Sequence, residues 1–131
     1  MSQVIIYTNK NGNVSVCLPT GELPIEDVLT KDCPEGAIII DADDLPQGEN
    51  DFFDAWRLVD GAVGIDLAAA KGIATQRFND LAKIKADERA RNTAIGIDND
   101  VSDADFIASL TAKRLEIDAA TSTAELRAVK V

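Results

Sequence analysis

The chain has 131 residues, 46% of them hydrophobic and 27% charged, with a formal net charge of -10. This composition is typical of a globular chain with one domain, or one small domain and a helical appendage. The acidic balance would repel nucleic-acid phosphates, and no apolar run approaches the roughly 20 residues that cross a bilayer. We therefore expect neither a nucleic-acid partner nor a membrane partner.

The first residues lack the basic, apolar and small-residue regions of a secretory signal, so we expect folding in a cytoplasm. Cys17 and Cys33 are too few for a disulfide scaffold, and their spacing matches no zinc or redox motif. The sequence predicts that both are free, inert thiols.

Turn signals and β-branched residues predict the strands of the first half. Val4–Thr8 and Val14–Leu18 flank a turn rich in Asn and Gly, which indicates a β-hairpin. Pro24–Leu29 fits a helix of one or two turns with proline at its start. The apolar run Ala37–Ile40 predicts a buried strand at the centre of the sheet.

The acidic, aperiodic segment 41–51 is predicted to be a surface loop. Two further strand-like pieces, Ala55–Val59 and Ala62–Ile65, are joined by Asp60-Gly61, a signature of a tight hairpin turn. Residues 1–65 are thus expected to form a small β-rich domain, with two hairpins, a central strand and a short helix in one antiparallel sheet.

From Asp66 the sequence becomes alanine-rich, and Asp66 is a good N-cap for a long helix reaching about Asn92. Steps of three or four predict one apolar stripe on it. The stripe comprises Leu67, Ala70, Ala74, Phe78, Leu81 and Ile84. Residues 85–91 are charged on most faces and are expected to face solvent or a partner.

A second helix is predicted near Asp103–Ala119, with Ser102 as its cap, packed antiparallel to the first. Ser122 and Glu125 form a capping box for a short last helix that buries Leu126 and Val129. The apolar positions expected to face the first helix are Phe106, Ile107, Leu110, Leu115 and Ile117. Residues 66–131 are therefore a helical arm, and the fold class is α+β.

The sequence offers little for catalysis, because histidine is absent and imidazole-based nucleophile or metal sites cannot form. A glycosidase-like carboxylate pair in the loop 41–51 remains an alternative, but the few aromatic residues do not suit a sugar cleft. Asp98-Asn99-Asp100 places oxygens at alternate positions, as an EF-hand does, yet Asp103 and Ser109 stand where glycine and glutamate are needed. We expect no catalytic residue, cofactor or metal.

Two groups of residues are candidates for contact with a partner. Phe52, Phe53 and Trp56 are the main aromatic concentration, which suits either a binding patch or, with Trp56 inward and one Phe partly exposed, an anchor of the second hairpin. The other group lies near the end of the long helix and consists of Glu88, Arg89 and Arg91.

Two stretches resemble tail accessory and tail fibre assembly proteins of tailed bacteriophages. One is the Trp-bearing hairpin 54–66 leading into the alanine-rich helix, and the other is the closing segment 117–126, with the sequence IDAATSTAEL. The resemblance implies a non-enzymatic virion or assembly protein that contacts a larger tail, fibre or capsid protein. It also implies a location in the host cytoplasm during assembly. A permanent virion component, a departing chaperone and a homo-oligomer are all left open.

An alternative function follows from the net charge alone. An acidic anti-host or regulatory protein can mimic nucleic acid, and the charge of -10 would suit that role. The acids are, however, spread over both halves of the sequence, whereas a mimic usually has a dense face of one sign.

Overall fold

The computed structural model describes residues 2–131, which form two compact units that meet in sequence between Asp66 and Leu67. The expected α+β class is confirmed. The first unit contains β1 Gln3–Thr8, β2 Val14–Cys17, α1 Ile25–Asp32, β3 Ile38–Asp41, the 3₁₀ turns Ala42–Asp44 and Asn50–Ala55, β4 Trp56–Val59 and β5 Ala62–Ile65. The second contains α2 Leu67–Ala94, α3 Asp103–Ala119 and α4 Thr123–Ala128. None of the helices described has the length and apolarity to span a membrane.

The strands form two sheets rather than the single sheet expected. The first has the order β2-β1-β3 with antiparallel neighbours, and β4 and β5 pair separately. The predicted central position of the run Ala37–Ile40 is wrong, because β3 is an edge strand with half-buried residues throughout. The central strand is β1, where Val4, Ile5 and Ile6 are all buried.

The main core of the first unit lies between the three-stranded sheet and the β4–β5 hairpin. Val4, Ile6 and Val14 alternate onto one face of the sheet and pack with Trp56. Ile5 points to the opposite face and is fully buried. The helix α1, which contacts β1 and β3, covers that second face.

The β4–β5 hairpin confirms the tight turn predicted from Asp60-Gly61. Both residues have positive φ, 52° for Asp60 and 82° for Gly61. This geometry belongs to a type I′ turn, whose twist matches that of the flanking strands. The register that follows places Trp56 opposite Ile65.

In the second unit α3 packs antiparallel to α2, as expected. Near one end of the pair Lys71 Nζ donates to the carbonyl of Asp118 at 2.7 Å. Further along, Arg114 Nε donates to Asn79 Oδ1 at 3.1 Å. The helix α2 has 28 residues and is about 42 Å long. Its buried residues are Ala70, Ala74, Phe78 and Ala82.

The predicted apolar stripe on α2 is wrong at its C-terminal end. Leu81 and Ile84 are 54% and 60% exposed, while Ala82 is buried. Each residue advances about 100° around a helix, so Ile84 lies about 160° from Ala82. The buried row instead follows steps of four, along which small side chains let neighbouring helices approach closely.

The expected inward face of α3 is also only partly correct. Ile117 is buried and Phe106 and Leu110 are half-buried. Ile107 and Leu115 are 60% and 64% exposed. Leu115 precedes Ile117 by two residues and therefore lies about 160° around the helix from it.

Both predicted helix caps on α3 and α4 are present. Ser102 Oγ accepts from Asp105 N at 3.1 Å, and Ser122 Oγ accepts from Glu125 N at 3.2 Å. The Glu125 carboxylate accepts from the backbone N and the hydroxyl of Thr121, one residue before the expected partner. On α4 Leu126 is buried and Val129, just beyond the helix, is half-buried.

Candidate partner-binding surface

The aromatic group in the first unit belongs mainly to the core. Phe52 and Trp56 are 2% and 3% exposed, whereas Phe53 is half-buried. The Phe53 and Trp56 rings are 4.8 Å apart at their centroids, and Trp56 Nε1 donates to the Glu49 carbonyl at 3.2 Å. These rings anchor the β4–β5 hairpin, and Phe53 alone presents part of its surface.

The charged group near the end of α2 is divided between two roles. Arg89 donates to the carbonyl of Val101 and to Asp103 Oδ1, both at 2.8 Å. Its side chain is 13% exposed, because it lies within the α2–α3 connection. Glu88 and Arg91 are exposed and so are available to a partner.

The acidic segment after α2 ends that helix. Asn99 Nδ2 donates to the Arg89 carbonyl at 3.3 Å and to Thr93 Oγ1 at 3.4 Å, and Asn99 Oδ1 accepts from Asn92 Nδ2 at 3.2 Å. An amide committed to these bonds holds the connection rather than a cation. No group of three or more possible metal ligands occurs within residues 2–131.

The strongest candidate surface is a face of α3 that the sequence interpretation assigned to the helix pair. We define the α3 outer face as six exposed, uncharged residues that recur at steps of one, three and four. They are Ala104, Ile107, Ala108, Thr111, Leu115 and Ala119. Such spacing places them on one side of a helix. Their uncharged recurrence is visible in the sequence and could have indicated a second apolar face.

No family model, curated protein or solved structure matches this chain. The functional argument therefore depends on which surfaces the two units leave exposed.

Exposed apolar residues are unusually common in the second unit. Seven large apolar side chains there are more than 40% exposed, against three that are buried. Besides Ile107 and Leu115, the exposed ones are Leu81, Ile84, Ile95, Ile97 and Val101. The three buried ones are Phe78, Ile117 and Leu126. Concentrated exposure of this kind marks interaction surfaces more often than single exposed side chains do.

The net charge, in contrast, belongs entirely to the first unit. Residues 1–66 carry thirteen acidic and three basic side chains, whereas residues 67–131 carry ten of each. Both halves contain acids, as the sequence analysis noted, but the bases are concentrated in the second. The two units thus offer chemically different surfaces, one acidic and one neutral with exposed apolar residues.

Proposed function

We propose that the protein is a non-enzymatic binding protein, and that a partner docks on the α3 outer face. The observation that carries this proposal is the run of six exposed, uncharged positions on α3, with Ile107 and Leu115 as its large side chains. Helices that bind grooves or other helices use apolar anchors at this spacing. Burying one Ile or Leu side chain contributes about 1.5–3 kcal/mol, so these two are the natural anchors.

The proposed partner is a larger tail, fibre or capsid protein of a tailed bacteriophage. Support for this class comes from the resemblance of the hairpin 54–66 and the closing segment 117–126 to phage tail accessory proteins. The second segment includes the end of α3 and leads into α4. The place of action would be the host cytoplasm during assembly, and a place in the virion would follow if the contact persists.

The test is affinity capture of the tagged protein from phage-infected cells, with a high-salt wash and identification of retained proteins by mass spectrometry. The wild type is expected to retain a tail, fibre or capsid protein. The double variant Ile107→Asp with Leu115→Asp should lose it, because two charges are placed on the apolar face. Ser109→Asp is the matched control, since Ser109 is exposed on α3 about 160° from the centre of that face.

Two results would contradict the proposal. One is retention of the same phage protein by the double aspartate variant, which would place the contact elsewhere. The other is the absence of any phage structural protein from the wild-type capture.

A second candidate function is favoured by the distribution of charge. With thirteen acids and three bases, the first unit has the single-sign character that a nucleic-acid mimic requires. Salt-sensitive binding of a basic DNA-binding protein to this unit would support it. The discriminating experiment compares capture at low and high salt: a mimic loses its partner at high salt, whereas an apolar contact on α3 keeps it.

A further inference from the structure

Cys17 and Cys33 are placed on one face of the three-stranded sheet. Cys17 ends β2 and pairs directly with Ile5 on β1, and directly paired residues point to the same side. That side is the one covered by α1, because the other face of the sheet packs on Trp56. Cys33 follows α1 as its C-cap residue. The crossover from β2 through α1 to β3 therefore returns the second cysteine to the first.

The two thiols are close enough to hydrogen-bond with each other. Both side chains are half-buried, so small reagents can reach them. Partial burial, followed by the neighbouring Cys17, raises the pKa of the Cys33 thiol. Cys33 is therefore held in the protonated form, which reacts slowly with oxidants.

We propose that Cys17 and Cys33 form a reversible intramolecular disulfide when the protein meets a small-molecule disulfide such as oxidised glutathione. The Cys17 thiolate attacks one sulfur of the glutathione disulfide, whose S–S bond breaks and releases a glutathione thiolate. Cys33 then loses its proton and attacks Cys17 Sγ in the mixed disulfide, which releases the second glutathione. Two thiols of the protein are oxidised, and one glutathione disulfide is reduced to two glutathione thiols.

The bridge would fasten the end of the edge strand β2 to the end of α1. The segment between them includes the exposed Leu18 and Leu23, at 72% and 45% exposure. Closing a loop of this length restricts the unfolded chain, so the oxidised first unit should melt at a temperature higher by roughly 10 °C. The sequence analysis predicted free, inert thiols; the structure has them free but adjacent, and adjacency is what makes them reactive toward each other.

The test is incubation of the full chain with oxidised glutathione, followed by alkylation and intact mass spectrometry. The wild type is expected to lose two hydrogen atoms, to resist alkylation and to yield a peptide pair linked through Cys17 and Cys33. Reduction should restore both thiols. Cys17→Ser and Cys33→Ser each keep one thiol that has no partner in the chain, so each variant should instead carry a glutathione or be alkylated.

Stable attachment of glutathione to the wild type would overturn the proposal, as would two thiols that stay open to alkylation. A covalent dimer joined through cysteine would overturn it too, because the bridge would then be between chains. The wild-type measurement decides the matter even if a serine variant fails to fold.

Discussion

The guanidinium of Arg89 lies over the ring of Phe106, with its central carbon 4.6 Å from the ring centroid. Its hydrogen bond to the Val101 carbonyl adds to this contact, whereas its partner Asp103 is 89% exposed and contributes little. Arg89→Ala is expected to lower the free energy of unfolding by about 2 kcal/mol. Urea denaturation followed by helical circular dichroism measures the effect.

The control for this variant is Arg91→Ala, since Arg91 is an exposed arginine on the same helix. Its effect should stay within about 0.5 kcal/mol. Equal losses in the two variants would mean that the position of Arg89 over Phe106 has no energetic importance.

A second prediction concerns the orientation of α3. Ile117 is 1% exposed and Leu115 is 64% exposed, although they are two residues apart. Ile117→Ala should destabilise the protein by about 2–4 kcal/mol because it leaves a cavity, and Leu115→Ala should change stability by less than about 0.5 kcal/mol. The two urea midpoints test this directly, and a larger loss at Leu115 would show that α3 is rotated.

The hairpin turn provides a third prediction. Gly61 has φ of +82° with no atom near an added Cβ, so Gly61→Ala costs only backbone strain, about 1 kcal/mol. Gly64 also has open space, but its φ lies outside the left-handed region, so Gly64→Ala should be neutral or slightly stabilising. Thermal unfolding of the two variants is the measurement. A stable Gly61→Ala protein would argue against the type I′ turn.

A fourth prediction is pH dependence at the start of α4. Hydrogen bonds from the Thr121 backbone and hydroxyl, then from the backbone near Ser122, lower the pKa of Glu125. Its stabilising contribution is therefore fully present above the pKa of the unfolded chain and is lost as the pH falls through the lower, folded value. The wild type should exceed Glu125→Gln in urea midpoint at neutral pH, and the two should converge in acid. A constant difference down to low pH would contradict this cap.

Local chemistry made much of the fold predictable. Asp60-Gly61 requires two positive φ angles and so identified the β4–β5 hairpin before any contact was known. Ser102, with an acid three residues later, marked the start of α3, and the predicted bounds Asp103–Ala119 are those observed. Such signals act within four residues, where the sequence contains all the participants.

The candidate surface could not be predicted from the same reasoning, because apolar periodicity does not say what covers a face. Leu81 and Ile84 continue the spacing of the buried residues before them, yet α3 packs along the row that leads to Ala82. On α3, Ile107 and Leu115 suited an inward stripe equally well. The choice between two apolar faces of one helix depends on the partner helix, and steps of three or four residues fit both.

The unequal charges of the two units have a consequence for how densely copies of this protein can be arrayed. Each copy adds a charge of -10 through residues 1–66 and none through residues 67–131. If many copies attach through α3, their acidic units repel one another within a screening length of about 8 Å at physiological ionic strength. Attachment would then be governed by apolar contact and the spacing between neighbours by electrostatics, so that rising salt tightens the packing of the array.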